Sequence, residues 1–308
     1  MKRGVLLGLL LAVGSLSIVV RAGTDVNVSQ GQAGAPQEPR AIDIVKLKDN
    51  LYVLTSSTPG NPATFSGGNV AVFITDDGVT LVDTKLAGWG QAVLDKVKSV
   101  TPKPVTRIIN THTHGDHTGN DGFFGTTVEI IAHENTKTNM EKMDAFKGDN
   151  AKFLPSKTFT DKMTLGSGKD RIDLYYFGAG HTSGDLFVVF PALRVLHTGD
   201  DFAWKDGPGC DRPNGGSCVE LPRTLQKAIA GIKNVDTVIP GHSPVTTPKD
   251  LETFQKFCAD FLSHSIDAMK AGKSVDDATA SFSVDAFPGY KKERVKGSIQ
   301  AVYDELKK

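Results

Sequence analysis

Residues 105–120 read VTRIINTHTHGDHTGN. The first part, Val105 to Asn110, is apolar and β-branched and reads as a buried strand. The second part cannot continue it, because Thr, Gly and His crowd a stretch too polar and too glycine-rich for a central strand. Within it, residues 112–117 are HTHGDH, three histidines and an aspartate directly after a strand end. Imidazole and carboxylate are the side chains that hold zinc in hydrolytic sites. His112 and His114, two apart, can turn toward one ion, while Asp116 and His117, adjacent, face a second. An α/β fold places its chemistry at strand ends, so this one stretch argues for both a fold class and a site.

Further along, the same setting recurs. His181 follows YYFGAG and begins HTSGD, Asp200 closes VLHTGD, and His242 closes VIPGH. Each ends an apolar run. Of the eight histidines in the chain, five stand as candidate ligands in these motifs, an uneven use that an ordinary polar loop does not explain. The other three read differently. His197, three before Asp200, is either a support behind a ligand or core. His133 reads as a turn or helix-start residue, and His264, mid-helix, as structural.

The rest of the chain reads as mixed strand and helix. Residues 41–57 alternate and read as a hairpin turning at Asp49-Asn50, and 69–84 reads as a second hairpin, an apolar strand, a DDG turn and then VTLVDT. Trp89 to Val100 has helical spacing, Val128 to Ala132 is a strand, and a helix follows from about Asn135 to Lys147. Strands are expected at 171–177, 186–190, 194–196 and 235–239. Helices are expected at 222–232, 251–271 and 291–307, and residues 201–219 read as a long loop. Strand blocks each followed by helices predict two sheets face to face with helices outside. No biased linker follows residue 41, which predicts one catalytic domain over 41–308 rather than two.

The N-terminus has a different character. Residues 1–22, MKRGVLLGLLLAVGSLSIVVRA, join a basic start to an apolar run and a small-residue cleavage pattern before Gly23, as an export signal does. An uncleaved anchor is the other reading. Residues 23–40 read as a loose polar leader. Lys plus Arg and Asp plus Glu are both 35, and losing the signal removes only basic groups, leaving a mildly acidic chain. That argues against nucleic acid as partner and places the protein in the periplasm or outside the cell. Such a compartment would allow Cys210 and Cys218, which bracket a Gly/Pro-rich loop, to pair. Cys258, in FQKFCADF, reads as a buried small hydrophobe.

HTHGDH followed by GHTSGD, HTGD and PGH resembles the metallo-β-lactamase superfamily of hydrolases, over roughly residues 45–245. Asp83 in LVDT matches the family's first motif, a carboxylate that supports the metal loop without ligating. The resemblance implies a four-layer αββα sandwich with the site at one edge between the sheets, and a C-terminal helical extension over 246–308. It implies that His112, His114 and His181 bind a first zinc, that Asp116, His117 and His242 bind a second, and that Asp200 bridges them. Iron or manganese suits the same donors.

Two ions so placed would acidify a shared water for attack on an ester, lactone, thioester or phosphodiester of a small molecule, with Asp116 orienting it or passing on a proton. Asp200 stands where the three-histidine lactamases of the family carry cysteine or serine, which favours the non-lactamase members. Opening of β-lactam rings and a non-catalytic metal-binding module remain the alternatives. A two-iron redox protein would need a flavin partner domain that these residues do not contain. Substrate choice falls to the rims: Trp204, read either as a cover for substrate or as a pin onto the core, and the Gly/Ser/Pro-rich stretch 55–69, read as mobile. The helices beyond 245 would close a third side or carry a dimer surface. No stable membrane partner is expected unless the signal stays uncleaved.

Overall fold

The structure, a computed structural model, describes residues 42–56 and 64–307. The signal, the leader and residues 57–63 of the first rim therefore lie outside the described residues. Among these, the first strands run in order: β1 (Ile42–Lys48), β2 (Leu51–Ser56), β3 (Val70–Thr75), β4 (Gly78–Val82), β5 (Val105–Ile109), β6 (Glu129–His133) and β7 (Lys157–Phe159). They form one sheet in chain order, antiparallel from β1 to β4 and parallel from β4 to β7. A second sheet has the order β12-β11-β10-β9-β8, built from β8 (Lys162–Leu165), β9 (Ile172–Tyr175), β10 (Phe187–Phe190), β11 (Val195–His197) and β12 (Thr237–Ile239). It is antiparallel except for the parallel pair β11 and β12.

Period-two side-chain direction explains why these strands are apolar throughout. In β3, Ala71 and Phe73 point between the sheets, while Val70 and Val72 point outward. In β10, Val188 and Phe190 point inward and Phe187 and Val189 outward. Phe73 and Phe190 meet across the gap with ring centroids 4.9 Å apart. Burying a side chain of this size contributes about 2 kcal/mol. Helix α1 (Gly90–Lys98) covers the first sheet through Val93 and Val97. The short helices α2 (Gly115–Thr118) and α3 (Glu134–Met140) follow β5 and β6. On the second sheet lie α4 (Leu221–Gly231) and α5 (Pro248–Lys270), with α6 (Val275–Ser281) and α7 (Val295–Leu306) completing the same apolar cluster. This is the four-layer αββα sandwich.

Helix α5 shows why the chain turns helical where it does. Leu251, Phe254, Phe257, Cys258, Phe261, Ser265 and Ala268 are buried at helical spacing. Thr247 caps it by accepting from the Asp250 amide, and Pro248 opens its first turn. The Asp250 carboxylate accepts from Lys205 Nζ at 2.6 Å and from the hydroxyls of Thr246 and Thr247. Lys205 first, then Thr246, hold its carboxyl well below the usual range. A lowered carboxyl value adds stability that is complete above the unfolded value of about 3.9 and fades as pH falls toward the folded one. Asp250→Asn is expected to cost about 1 kcal/mol near pH 7, less near pH 3, in paired urea melts.

Some expectations are corrected. The helix read over 135–147 stops at Met140. The chain then turns extended at Met143, whose sulfur accepts from Thr113 Oγ1, and continues as 3-10 turns at Asp144–Phe146 and Gly148–Phe153. Strands β7 and β8 and helix α6 were not anticipated. Each strand buries a single side chain, too few to show a period. The last helix starts at Val295 rather than Lys291. His133 caps α3 by accepting from the Asn135 amide, and His264 Nε2 donates to the Ala278 carbonyl. Cys258 is buried. Among the described residues, no helix is long and apolar enough to cross a membrane.

Candidate metal centre

Both sheets send strand ends to one edge, and the metal-type residues gather there. After β4 the chain turns at Asp83, a residue with left-handed backbone (φ 68°) and no exposure. Its Oδ1 accepts from the Thr111 amide at 2.7 Å, and its Oδ2 accepts from Thr111 Oγ1 at 2.8 Å and His117 Nδ1 at 2.7 Å. One buried carboxylate therefore fastens both ends of the loop after β5. From the second sheet, His181 comes from the β9–β10 connection, Asp200 from the turn after β11, and His242 from the loop after β12.

The structure brings all the metal-type residues named from the sequence together. Donor atoms of His112, His114 and His181 lie within 4.8 Å of one another, as do those of Asp116, His117 and His242. A third group, His112, His117 and Asp200, shares members with both. Asp200 Oδ1 is 3.4 Å from His117 Nε2, and Asp200 Oδ2 is 3.1 Å from His242 Nε2 and 3.6 Å from His181 Nε2. The Asp116 carboxylate is 3.3 Å from His242 Nε2 and 3.7 Å from His117 Nε2. Asp200 thus sits between the two trios.

Tautomers follow from the outer partners of the rings. His181 Nδ1 lies 2.7 Å from the Gly209 carbonyl, which can only accept, so Nε2 keeps its lone pair. His114 Nε2 donates to Asp211 at 2.7 Å, so Nδ1 keeps its own. These two lone pairs face each other at 2.9 Å. Thr111 Oγ1 already donates to Asp83, so His112 Nδ1 donates to it at 3.0 Å, and among the described residues His112 Nε2 is a buried acceptor without a partner. Asp200 Oδ1 likewise has no hydrogen-bond partner. His117 Nδ1 donates to Asp83, and its Nε2 faces His242 Nε2 at 3.3 Å. Converging lone pairs and orphaned buried acceptors fit cations and little else.

The surrounding charges agree. Burial, then His117, keep His112 well below the ordinary imidazole range and so neutral. Burial resists charge on Asp200, but His242 and His117 outweigh it and hold the carboxyl well below its usual value. Burial also resists charge on His117, and Asp200, Asp83 and Asp116 outweigh it, so a positive charge is favoured at this ring, a proton on Nε2 or in its place a metal ion beside it. Glycine is required where the backbone passes these groups. A Cβ on Gly68 would collide with the His117 ring, and one on Gly241 with the Asp200 carboxylate.

Several positions were not legible beforehand. Lys85 is fully buried, has left-handed backbone (φ 66°), and donates to the Gly68 carbonyl at 2.8 Å. Burial lowers its amine to about 7, against Asp116 and Asp83. Asp211, the partner of His114, adjoins Cys210, which is disulfide-bonded to Cys218. The pairing that the sequence left open is therefore made, and adjacency to that cysteine was the available signal for Asp211. His197 is a support: buried, it accepts from the Gly199 amide and donates to the Asn69 carbonyl at 3.2 Å.

His114, Asp116, His181, Asp200 and His242 open onto a cleft of about 720 Å³. Trp204 borders it, stacked on His242 at 5.4 Å with 29° between rings, so it lies over the site rather than under the core. Phe65, from the other rim, approaches His242 at 5.6 Å.

Comparison with known proteins agrees with this geometry. Residues 63–242 match the family model described as metallo-β-lactamase superfamily. Metallo-β-lactamase type 2 of Elizabethkingia meningoseptica is 32% identical over 168 residues, 52% of this chain and 62% of that protein. Metallo-β-lactamase type 2 of Bacteroides fragilis is 24% identical over 203 residues, 65% of this chain and 79% of that protein. Among solved structures, a metallo-β-lactamase from Pontibacter korlensis superposes with TM-score 0.61 at 20% identity, covering 71% of this chain and 99% of that one. DIM-1 metallo-β-lactamase gives 0.58 at 21%, covering 71% and 97%. With two sheets sandwiched between helices and this edge site, the chain belongs to the metallo-β-lactamase superfamily.

Proposed function

We propose that this protein is an exported hydrolase that holds two metal ions, zinc by preference, and cleaves an ester, lactone, thioester or phosphodiester of a small molecule. The observation that carries the reading is the pair of facing donor trios with Asp200 between them. His112 Nε2, His114 Nδ1 and His181 Nε2 would hold one ion. Asp116, His117 Nε2 and His242 Nε2 would hold the other, and the Asp200 carboxylate, between the trios, would serve both. A pair of such ions supplies an acidified water and a Lewis acid for the oxygen under attack.

The chain's own groups do the rest. Asp83, Asp211 and the Gly209 carbonyl fix the donor tautomers, so the site is set before substrate arrives. The Asp116 carboxylate, partly open to the cleft, can accept a proton from the attacking group and return it to the leaving group. Trp204 and Phe65 pack beside His242 and give that side of the cleft an apolar wall. Export is supported by residues 1–22, and a disulfide suits an oxidising compartment.

A second reading, opening of β-lactam rings, is favoured by the names of the similar proteins. Asp200, in place of the cysteine or serine of the three-histidine lactamases, weighs against it. The test is elemental analysis of purified protein refilled with zinc, alongside chromogenic ester, lactone, thioester, phosphodiester and lactam substrates. About two metals per chain with turnover of one of the non-lactam classes is expected. Fewer than one metal per chain would sink the hydrolase reading, and metal without turnover of any class would leave a binding module.

A further inference from the structure

Part of the cleft wall comes from outside the stretch that matches the family model. Gly289, Lys291, Glu293 and Arg294, just before and at the start of α7, border the same cleft as His242 and Trp204. The Arg294 guanidinium lies 3.6 Å from the centroid of the Trp204 ring, and that ring stacks on His242. Guanidinium, indole and imidazole thus form a column from the rim to the metal-type residues.

Arg294 differs from the other cations of the cleft. Lys205 is bonded to Asp250 at 2.6 Å, and Lys291 pairs with Glu293 at 3.3 Å. Asp206 accepts from the Arg294 backbone amide at 3.3 Å, which ties the segment down without engaging its side chain. Among the described residues, the Arg294 guanidinium has no carboxylate partner; its contact is the indole face. An indole under a guanidinium holds it in place and leaves its N–H edge free. That edge matches a carboxylate in a two-point contact.

We infer that Arg294 is a specificity-determining residue of the proposed hydrolase, binding a carboxylate that the substrate carries a short apolar span away from the bond cleaved. The apolar span lies along Trp204 and Phe65, which flank His242. The inference rests on the hydrolase reading and narrows its substrate to anionic esters or lactones.

The test uses the zinc-loaded chain with two esters of matched length, mono(4-nitrophenyl) glutarate and neutral 4-nitrophenyl pentanoate. Arg294→Gln is expected to lower kcat/KM for the glutarate at least about tenfold, through KM, and to change the pentanoate less than about twofold. Arg294→Lys is expected to recover part of the loss. An equal fall for both esters would mean that Arg294 only pins Trp204, and no change for either would mean that it binds nothing; both overturn the inference. Binding of phenylacetate and phenylacetamide, read by tryptophan fluorescence, separates this from failure of the hydrolase reading. If the wild type cleaves neither ester, yet Arg294→Gln weakens phenylacetate alone at least about fivefold, the anion site stands and the hydrolase falls. If phenylacetate binds both proteins alike, the anion site falls.

Discussion

Asp200→Asn is expected to reduce bound zinc from about two per chain to one or fewer, and turnover at least about a thousandfold. The reason is its position between the trios. One Asp200 oxygen lies against His117, the other against His242 and His181. The amide keeps the shape but loses the charge that offsets two cations, and presents an N–H group toward ring nitrogens that need a cation. In chelator the variant is expected to keep a cooperative melt, lowered relative to the metal-free wild type because the carboxylate removed is one that His242 and His117 hold ionised. That pairing of results separates a lost metal from a lost fold. Zinc content by elemental analysis, turnover of the best substrate, and thermal melts in chelator check it together. An Asp200→Asn protein with two tightly held zinc ions and unchanged turnover would remove Asp200 from the centre.

Opening the Cys210–Cys218 bridge, or replacing Asp211 by Asn, is expected to weaken zinc at the three-histidine side about 10–100-fold. Both changes act on one loop. The Gly209 carbonyl accepts from His181, and the Asp211 carboxylate accepts from His114, at 2.7 Å each. Between these two groups stands Cys210. Asp211 also accepts from Asn214, and its amide donates to the His181 carbonyl, so the loop is wound tightly around the two rings. A bridge closing a loop this short contributes roughly 2–3 kcal/mol of loop order. Chelator competition on the oxidised and reduced protein reads the effect directly. Asp211→Asn should weaken zinc with the bridge intact, and reduction should weaken it with Asp211 intact. If neither alters affinity, the loop is a cover and not a support.

Much of this was legible in the chain itself. The alternating run 41–57, the apolar run and DDG turn of 69–84, the apolar strand before THTHGDH, and the strand-end positions of His181, Asp200 and His242 are strong local patterns. Burial on both faces leaves the central strands apolar throughout, which is why they stand out in the chain. The residues that hold the rings from behind were less visible. Asp83 was matched only through its family motif. Asp211 and Lys85 act through contacts that arise once distant segments meet, and in KDGPGCDRP only adjacency to Cys210 sets Asp211 apart from Asp206. Arg294 lies outside the matched motifs altogether, and its role depends on Trp204, 90 positions earlier. The overlong helix at 135–147 failed for a related reason. Its continuation was decided by Met143 reaching Thr113, a contact between distant segments with no helical signature.

The placement of the site at the edge shared by the two sheets also bears on how the molecule is assembled. The first sheet supplies His112, His114, Asp116 and His117, and the second supplies His181, Asp200 and His242. Neither sheet alone offers both donor trios, because His181 and His242 come from the opposite side. Metal uptake at the proposed centre would therefore follow docking of the two halves, and would rivet them. Once bound, the ions would resist sliding or parting of the layers, and chelation would loosen that seam first.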